Sequence, residues 1–316
     1  MTSPWIAEQT VDAGLAIELI ESQFPELAPA RVELLGVGWD NTAFLVNGEI
    51  VFRFPRREIA VDLLVAETRV LPAIAPLLPL SVPVPRFVGR PEPRFTWPFA
   101  GYPMLPGRTA CRAALSDAER VKLAEPLARF LAALHAIPTG HSIACGVLPD
   151  RLGRLDVERR VPAIRERLRQ IAGLGLIRDE GAWNEILEEA GAVDRKARAE
   201  LRAANGNTIV GTLVHGDLYA RHLLVDEAGR LTGAIDWGDI HLGDPAIDLS
   251  LACGFLPPPA RDAFVAAYGL VDPATWRLAR FKALLTAVML VVYGHDVGDS
   301  DLQREGLTTL GYLQRM

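Results

Sequence analysis

Apolar residues recur at helical spacing over residues 7–23, and the pattern stops before Pro25, which predicts an opening helix. Three short β-like runs follow, at 31–37, 42–46 and 49–54. Asn47-Gly48 lies between the last two, and this dipeptide accepts the positive φ angles that a two-residue hairpin turn demands. Residues 59–78 read as a helix whose second half is weakened by Pro72 and Pro76. Two further strand-like runs, 86–89 and 102–105, flank a proline-rich hairpin tip at 91–98. After Pro106-Gly107 the pattern turns helical. Ser116-x-x-Glu119 is a capping box in front of a long amphipathic helix expected to reach about Ala136, with Pro138 beyond it. Further helices are expected at 156–171, at 183–204 and from about 259 to the C-terminus, interrupted by a paired β-hairpin over 213–235.

This order of elements predicts an α+β, bilobal fold. A small β-rich N-terminal lobe would cover residues 1–105, a hinge 100–107, and a large mainly helical C-terminal lobe 106–316. Ligand sites commonly occupy the cleft that such an arrangement leaves.

Composition narrows the class. Half of the 316 residues are apolar and 23% are charged, which is globular rather than disordered. A net charge of −6 speaks against a nucleic-acid partner and is compatible with a cationic ligand or with plain solubility. Cys111, Cys145 and Cys253 form no CxxC pair, so neither a disulfide framework nor a zinc site is expected and a reducing cytoplasm fits. Met1–Trp5 lacks the basic start and apolar core of a secretion signal. The most apolar run, 283–293, is too short to cross a bilayer and reads as a buried helix, so no membrane association is expected. A monomer and a homodimer are both compatible with these numbers.

The chemistry concentrates in Val214-His215-Gly216-Asp217-Leu218-Tyr219-Ala220-Arg221-His222 and, after a second apolar run, Ile235-Asp236-Trp237. Asp217 follows one short strand and precedes another, so its carboxylate is presented at a strand end, where it could orient a hydroxyl. Alone it would read as a turn cap. The five-residue step to His222 and the later Asp236 add a pair able to hold a divalent metal. Phosphoryl transfer needs these parts, because positioning and charge neutralisation carry most of its catalysis.

With Gly243-Asp244-Pro245-x-x-Asp248-Leu249, these motifs resemble the aminoglycoside/macrolide phosphotransferase family, whose fold is that of protein kinases. The resemblance extends over nearly the whole chain. It implies Asp217 as the catalytic aspartate and Asp236 as the residue that bridges magnesium to the nucleotide phosphates. His222 stands where the family usually has asparagine, the second magnesium ligand; imidazole is a softer donor, and some macrolide and gentamicin-type resistance kinases share it. His215 is implied as a structural residue, and Asp244 and Asp248 as bracing carboxylates. Gly216 replaces the arginine of regulated protein kinases, which implies constitutive activity.

The same resemblance calls for a cation on the third strand. No lysine precedes Lys122, one of only three against thirty arginines, and Arg53 occupies the matching position with Glu67 as its partner on the next helix. Gly36, Gly38 and Asn41 belong to a loop that could lay backbone N–H groups over phosphates. Tyr102 and Met104 fall in the segment matching the purine-binding hinge. His135 reads as a helix-end residue favoured by the dipole. Trp183, Trp237 and Trp276 read as core, and Glu185, Glu188 and Glu189 as a solvated face that a polyamine acceptor could also use.

The function implied is Mg2+-dependent transfer of the γ-phosphoryl group of ATP or GTP to a hydroxyl of a small acceptor of the aminoglycoside or macrolide kind, and the net charge is compatible with a cationic one. Rival readings are a metabolic kinase acting on choline, homoserine, fructosamine or a sugar, and a nucleotide-binding pseudokinase or scaffold. A metal hydrolase lacks the necessary ligand pattern.

Overall fold

The computed structural model describes residues 7–38, 40–150, 152–203 and 211–315; the readings made for Met1–Trp5, for Trp39 and for a helix end at Ala204 lie outside them. The N-terminal region is an antiparallel sheet of five strands, β1 (Val32–Val37), β2 (Asn41–Val46), β3 (Ile50–Pro55), β4 (Phe87–Gly89) and β5 (Phe99–Pro103), in the order β1-β2-β3-β5-β4. At the β2–β3 turn Asn47 and Gly48 have φ of 54° and 76°, as the dipeptide predicts. Side chains alternate across the sheet. Phe44, Phe52 and Phe54 are buried on one face, against helix α1 (Ala13–Gln23) and its Ala16, Leu19 and Ile20. The helix starts six residues later than its periodicity suggests, because the Asp12 carboxylate accepts the Leu15 N–H at 2.8 Å and sets the N-cap there.

The other face of the sheet carries Ala43, Arg53 and Ala100 in cross-strand register and meets helix α2 (Glu58–Ile74). Pro72 is accommodated inside α2, and the backbone then tightens into a 3-10 turn at Ala75–Leu77 around Pro76. Strand β5 begins at Phe99, three residues before the expected 102. Its residues 99–102 are buried on both faces, so it offers no alternation to read.

The large lobe contains β6 (Arg108–Thr109), α3 (Ala110–Ala113), α4 (Asp117–Lys122), α5 (Ala124–His135), α6 (Thr139–Ala144), α7 (Val157–Gly173) and α8 (Asn184–Ala203). It continues with β7 (Thr212–Val214), β8 (Leu223–Val225), β9 (Leu231–Ala234), β10 (His241–Gly243), α9 (Ala246–Gly254), α10 (Arg261–Tyr268), α11 (Pro273–Val297) and α12 (Ser300–Leu313). The capping box at Ser116 and Glu119 forms as expected, but the single long helix is two, broken at Leu123. Pro126 has no N–H to return to the Lys122 carbonyl, and the break falls there.

Strand β7 does not pair with β8 as a hairpin. It pairs with β10, while β8 joins β6 and β9. The loop at 215–222 therefore passes from one small sheet to another and is fixed at both ends. The apolar run at 283–293 lies in α11, which at 25 residues is long and apolar enough to cross a membrane by length and composition. Half of that window is buried, and α11 packs against α7, α8, α9 and α12, the place of a core helix.

Candidate active site

One buried carboxylate fastens the loop between β7 and β8. Asp248, in the first turn of α9, accepts the backbone N–H groups of His215 at 2.7 Å and Gly216 at 3.0 Å. Burial pushes its pKa up, but the hydrogen bond and charge of His135 and the bonded backbone amides outweigh burial and hold it below the usual value. His135 ends α5 as expected, yet its ring is turned inward: Nε2 lies 3.2 Å from Asp248 and Nδ1 2.8 Å from the Tyr268 hydroxyl. The dipole reading missed this role.

Gly216 has φ of +92°, and a Cβ there would lie 2.1 Å from the Asp239 carbonyl oxygen. Only glycine fits where the two loops touch. His215 Nε2 donates to the Ile235 carbonyl at 3.0 Å, and its ring packs on Trp237 with centroids 4.5 Å apart. Burial keeps this imidazole neutral, so its role is structural, as the resemblance implies.

On this support stands a continuous run of charged groups. Glu67 Oε1 and Oε2 accept from Arg53 Nη1 at 2.9 and 3.0 Å; Arg53 Nη2 donates to Asp236 Oδ1 at 2.8 Å. Asp236 Oδ2 lies 3.3 Å from His222 Nε2, and His222 Nδ1 lies 3.8 Å from Asp217 Oδ2. The run starts on α2, crosses to the large lobe through β3, and ends on the loop after β7. It brings together Asp217, His222, Asp236, Arg53 and Glu67.

Burial and the neighbouring Asp239 and Asp236 carboxylates push Asp217 up to about 6, against the pull of His222 and Lys282. Asp236 goes the other way. Burial raises it, but Arg53, His222 and His215 hold it at about 2. Some 48% of its side chain remains open, so this depression is a matter of sign rather than of stability. Its backbone is in the left-handed region, φ 65° and ψ 64°, a strained conformation for a non-glycine residue that such sites often retain. Glu67 is pushed up by burial and pulled back by the Arg53 guanidinium, and Arg53 stays cationic between two carboxylates.

The donor set suits a divalent ion. His222 Nδ1 is 2.7 Å from the Asp217 carbonyl, which can only accept, so Nδ1 carries the proton. In the neutral ring Nε2 then aims a lone pair at a carboxylate oxygen, and two such acceptors require a proton or a cation to share. No group of three or more His, Cys, Asp or Glu side chains able to hold a metal forms among the described residues. Asp236 and His222 would therefore hold an ion jointly with phosphate oxygens and water.

On the nucleotide side, a Cβ at Gly36 would meet nothing within 4 Å, and one at Gly38 only the Asn41 carbonyl at 3.5 Å. Nothing inside the chain demands glycine at either place; both leave room above the loop. Gly38 N–H closes the turn onto the Asn41 carbonyl at 2.9 Å, and Asn41 Oδ1 is buried without a hydrogen-bond partner. Tyr102 is buried beside Glu67 and Arg53; burial and the Glu67 charge raise its phenol well above the ordinary range. Met104 is half exposed, and its N–H is committed to the Glu49 carbonyl at 2.7 Å.

Four neighbouring residues were not assigned to the site from the sequence. Lys282 is buried on α11 and bonded to Thr286 at 3.1 Å; burial pushes its pKa down, and the Asp217 carboxylate is the charge that most opposes this. Asp239 is paired with Arg154, which also holds Asp150 at 2.7 Å. The rarity of lysine, and its place in an apolar helix, were signals for Lys282. Trp183 and Trp237 are in the core, with Trp276 partly buried near Phe264. The glutamate row divides: Glu189 pairs with Arg280 at 2.9 Å, whereas Glu185 and Glu188 are exposed.

A five-stranded lobe above a helical one, with a charged run crossing between them, defines a protein-kinase-like fold. Residues 31–281 match the APH phosphotransferase enzyme family, and the chain belongs to it. Viomycin phosphotransferase of Streptomyces vinaceus is 28% identical over 118 residues, 36% of this chain and 41% of that protein. An uncharacterized protein of Bacillus subtilis, YcbJ, is 48% identical over 40 residues, 13% of each chain. Both matches thus span less than half of the relatives' own length.

Similarity to solved structures is broader. The GDP complex of wild-type aminoglycoside 2'-phosphotransferase-IIIa is 25% identical with a TM-score of 0.66, covering 96% of this chain and 99% of that one. Macrolide 2'-phosphotransferase type I, 22% identical over 96% of this chain and 98% of its own, shares the fold with a TM-score of 0.56.

Proposed function

We propose that this protein transfers the γ-phosphoryl group of ATP or GTP to a hydroxyl of a small molecule, with Mg2+ or a similar divalent ion as cofactor. The observation that carries the reading is the unbroken run Glu67–Arg53–Asp236–His222–Asp217. The small lobe, to about residue 105, binds the nucleotide. Its Arg53 fork, oriented by Glu67, faces the phosphates, and the open glycines at 36 and 38 let the loop approach them. Asp236 and His222 hold the metal, which when bound neutralises phosphate charge. Asp217, pushed up to about 6, is ionised at neutral pH yet basic enough to accept the acceptor's proton as the new bond forms. Tyr102, buried beside Glu67 and Arg53, backs this pair.

The acceptor is proposed to be an antibiotic of the aminoglycoside or macrolide kind. Support comes from the phosphotransferase family match, from the viomycin-modifying relative, and from neighbours solved with aminoglycosides, one as the GDP and kanamycin complex of APH(2")-IIia at 25% identity. An enzyme of this kind acts in the cytoplasm, where nucleotide is available. The intact run of charged residues speaks against a pseudokinase. The test is nucleotide consumption measured with ATP and with GTP across aminoglycosides, macrolides, viomycin, choline, homoserine and sugars. Turnover confined to the metabolites would replace the antibiotic assignment, and nucleotide binding without any turnover would end the kinase reading.

A further inference from the structure

The His222 ring is fixed on several sides. Its Nδ1 donates to the Asp217 carbonyl at 2.7 Å. Tyr219 packs on the ring with centroids 4.3 Å apart, His215 lies parallel at 6.2 Å, and only 7% of the side chain is exposed. Flipping the ring would sacrifice the Nδ1 bond in a buried place. The remaining nitrogen is thus fixed 3.3 Å from Asp236 Oδ2, as one half of a ready-made nitrogen–oxygen pair. A histidine whose far nitrogen donates to a backbone carbonyl is the arrangement that orients metal-binding imidazoles and raises their basicity.

We propose that His222 makes this position select a first-row transition ion over Mg2+, with Mn2+, the weakest binder of that series, as the most demanding probe. The proposal rests on the phosphotransferase reading for the site's use, but not for the chemistry of selection. Mg2+ is hard, keeps its water shell and favours oxygen donors. An imidazole nitrogen suits borderline ions, whose affinity for mixed nitrogen and oxygen sites climbs along the first row from Mn2+. An asparagine carbonyl in the same place would supply oxygen and remove that bias. Asp236, held ionised by Arg53, provides the charge that any divalent ion needs; His222 decides which ion.

The experiment uses the full chain carrying 15N-labelled histidine, with a β,γ-imido nucleotide to prevent turnover. Mn2+ affinity is measured by electron paramagnetic resonance with Mg2+ as competitor, and pulsed spectra report nitrogen bound directly to Mn2+. We expect a 15N coupling from one histidine and an advantage of Mn2+ over Mg2+ about tenfold or more above that of the free nucleotide. In His222→Asn the coupling should vanish and the advantage should fall to that of the free nucleotide. A wild-type spectrum without histidine nitrogen overturns the proposal whatever the variant does, as does an undiminished Mn2+ advantage in a folded His222→Asn protein. Phosphorylated acceptor together with a nitrogen-free spectrum sinks the metal inference alone. Nitrogen-coupled Mn2+ with no phosphorylated acceptor in any panel sinks the phosphotransferase reading alone.

Discussion

Replacing Asp248 by asparagine tests whether the catalytic loop is held as described. The carboxylate accepts two backbone amides, at 2.7 and 3.0 Å, and a ring nitrogen of His135 at 3.2 Å, with none of its side chain exposed. Asparagine keeps one acceptor oxygen and turns an NH2 group toward a donor that loses its partner. A buried hydrogen bond to a charged group contributes about 1.5–3 kcal/mol, and an orphaned buried N–H costs about 1–3 kcal/mol. A loss of about 2–4 kcal/mol follows if the loop stays put, less if it shifts to relieve the clash. Thermal denaturation should show the midpoint falling by several degrees. Because Asp217 rides on the same loop, kcat should fall while the KM for nucleotide, set mainly by the small lobe, changes little. The decisive measurement is the pair of values: a folded Asp248→Asn protein with wild-type melting temperature and kcat would refute the bracing role.

Further outcomes can be checked. Asp217→Ala should reduce turnover by about 10²–10⁴-fold while nucleotide binding, read by fluorescence titration, persists. The pH profile of the native enzyme should show kcat/KM falling as pH drops through about 6, because Asp217 must be ionised and its pKa is raised; a limb near 4 would contradict the raised value. Arg53→Ala should raise the KM for nucleotide more than that for acceptor, and Gly216→Ala should cost about 1–3 kcal/mol and most of kcat because its Cβ displaces the Asp239 backbone; equal changes in both KM values, or an active Gly216→Ala enzyme, would be the contrary results.

The parts of this molecule that were legible in the sequence are those whose determinants are local. Strands β2 and β3 alternate, Asn47-Gly48 dictates its own turn, and Ser116 with Glu119 writes its own cap. The candidate residues Asp217, His222 and Asp236 fall within twenty positions, so their spacing singled them out as a group, and they do lie together. What stayed hidden depends on distant partners. His135 meets Asp248 from 113 residues away. Strand β7, three residues long, chooses β10 over β8 for reasons that only packing supplies. Lys282 stands out as a lone lysine in an apolar helix, but nothing local links it to Asp217, and α4 and α5 ran together because a proline near a helix start leaves periodicity intact.

Arginine, in place of lysine, at position 53 has an effect beyond the phosphate recognition proposed for it. One guanidinium nitrogen is spent on a carboxylate of the upper lobe and another on a carboxylate of the lower, so the two halves are already tied before any nucleotide arrives. An ammonium group has no rigid fork with which to span both. Arrival of the donor is then an exchange of partners at a standing joint rather than the closing of a loose one, and conditions that weaken ion pairs, concentrated salt first among them, should set the resting shape of the enzyme as much as its affinity.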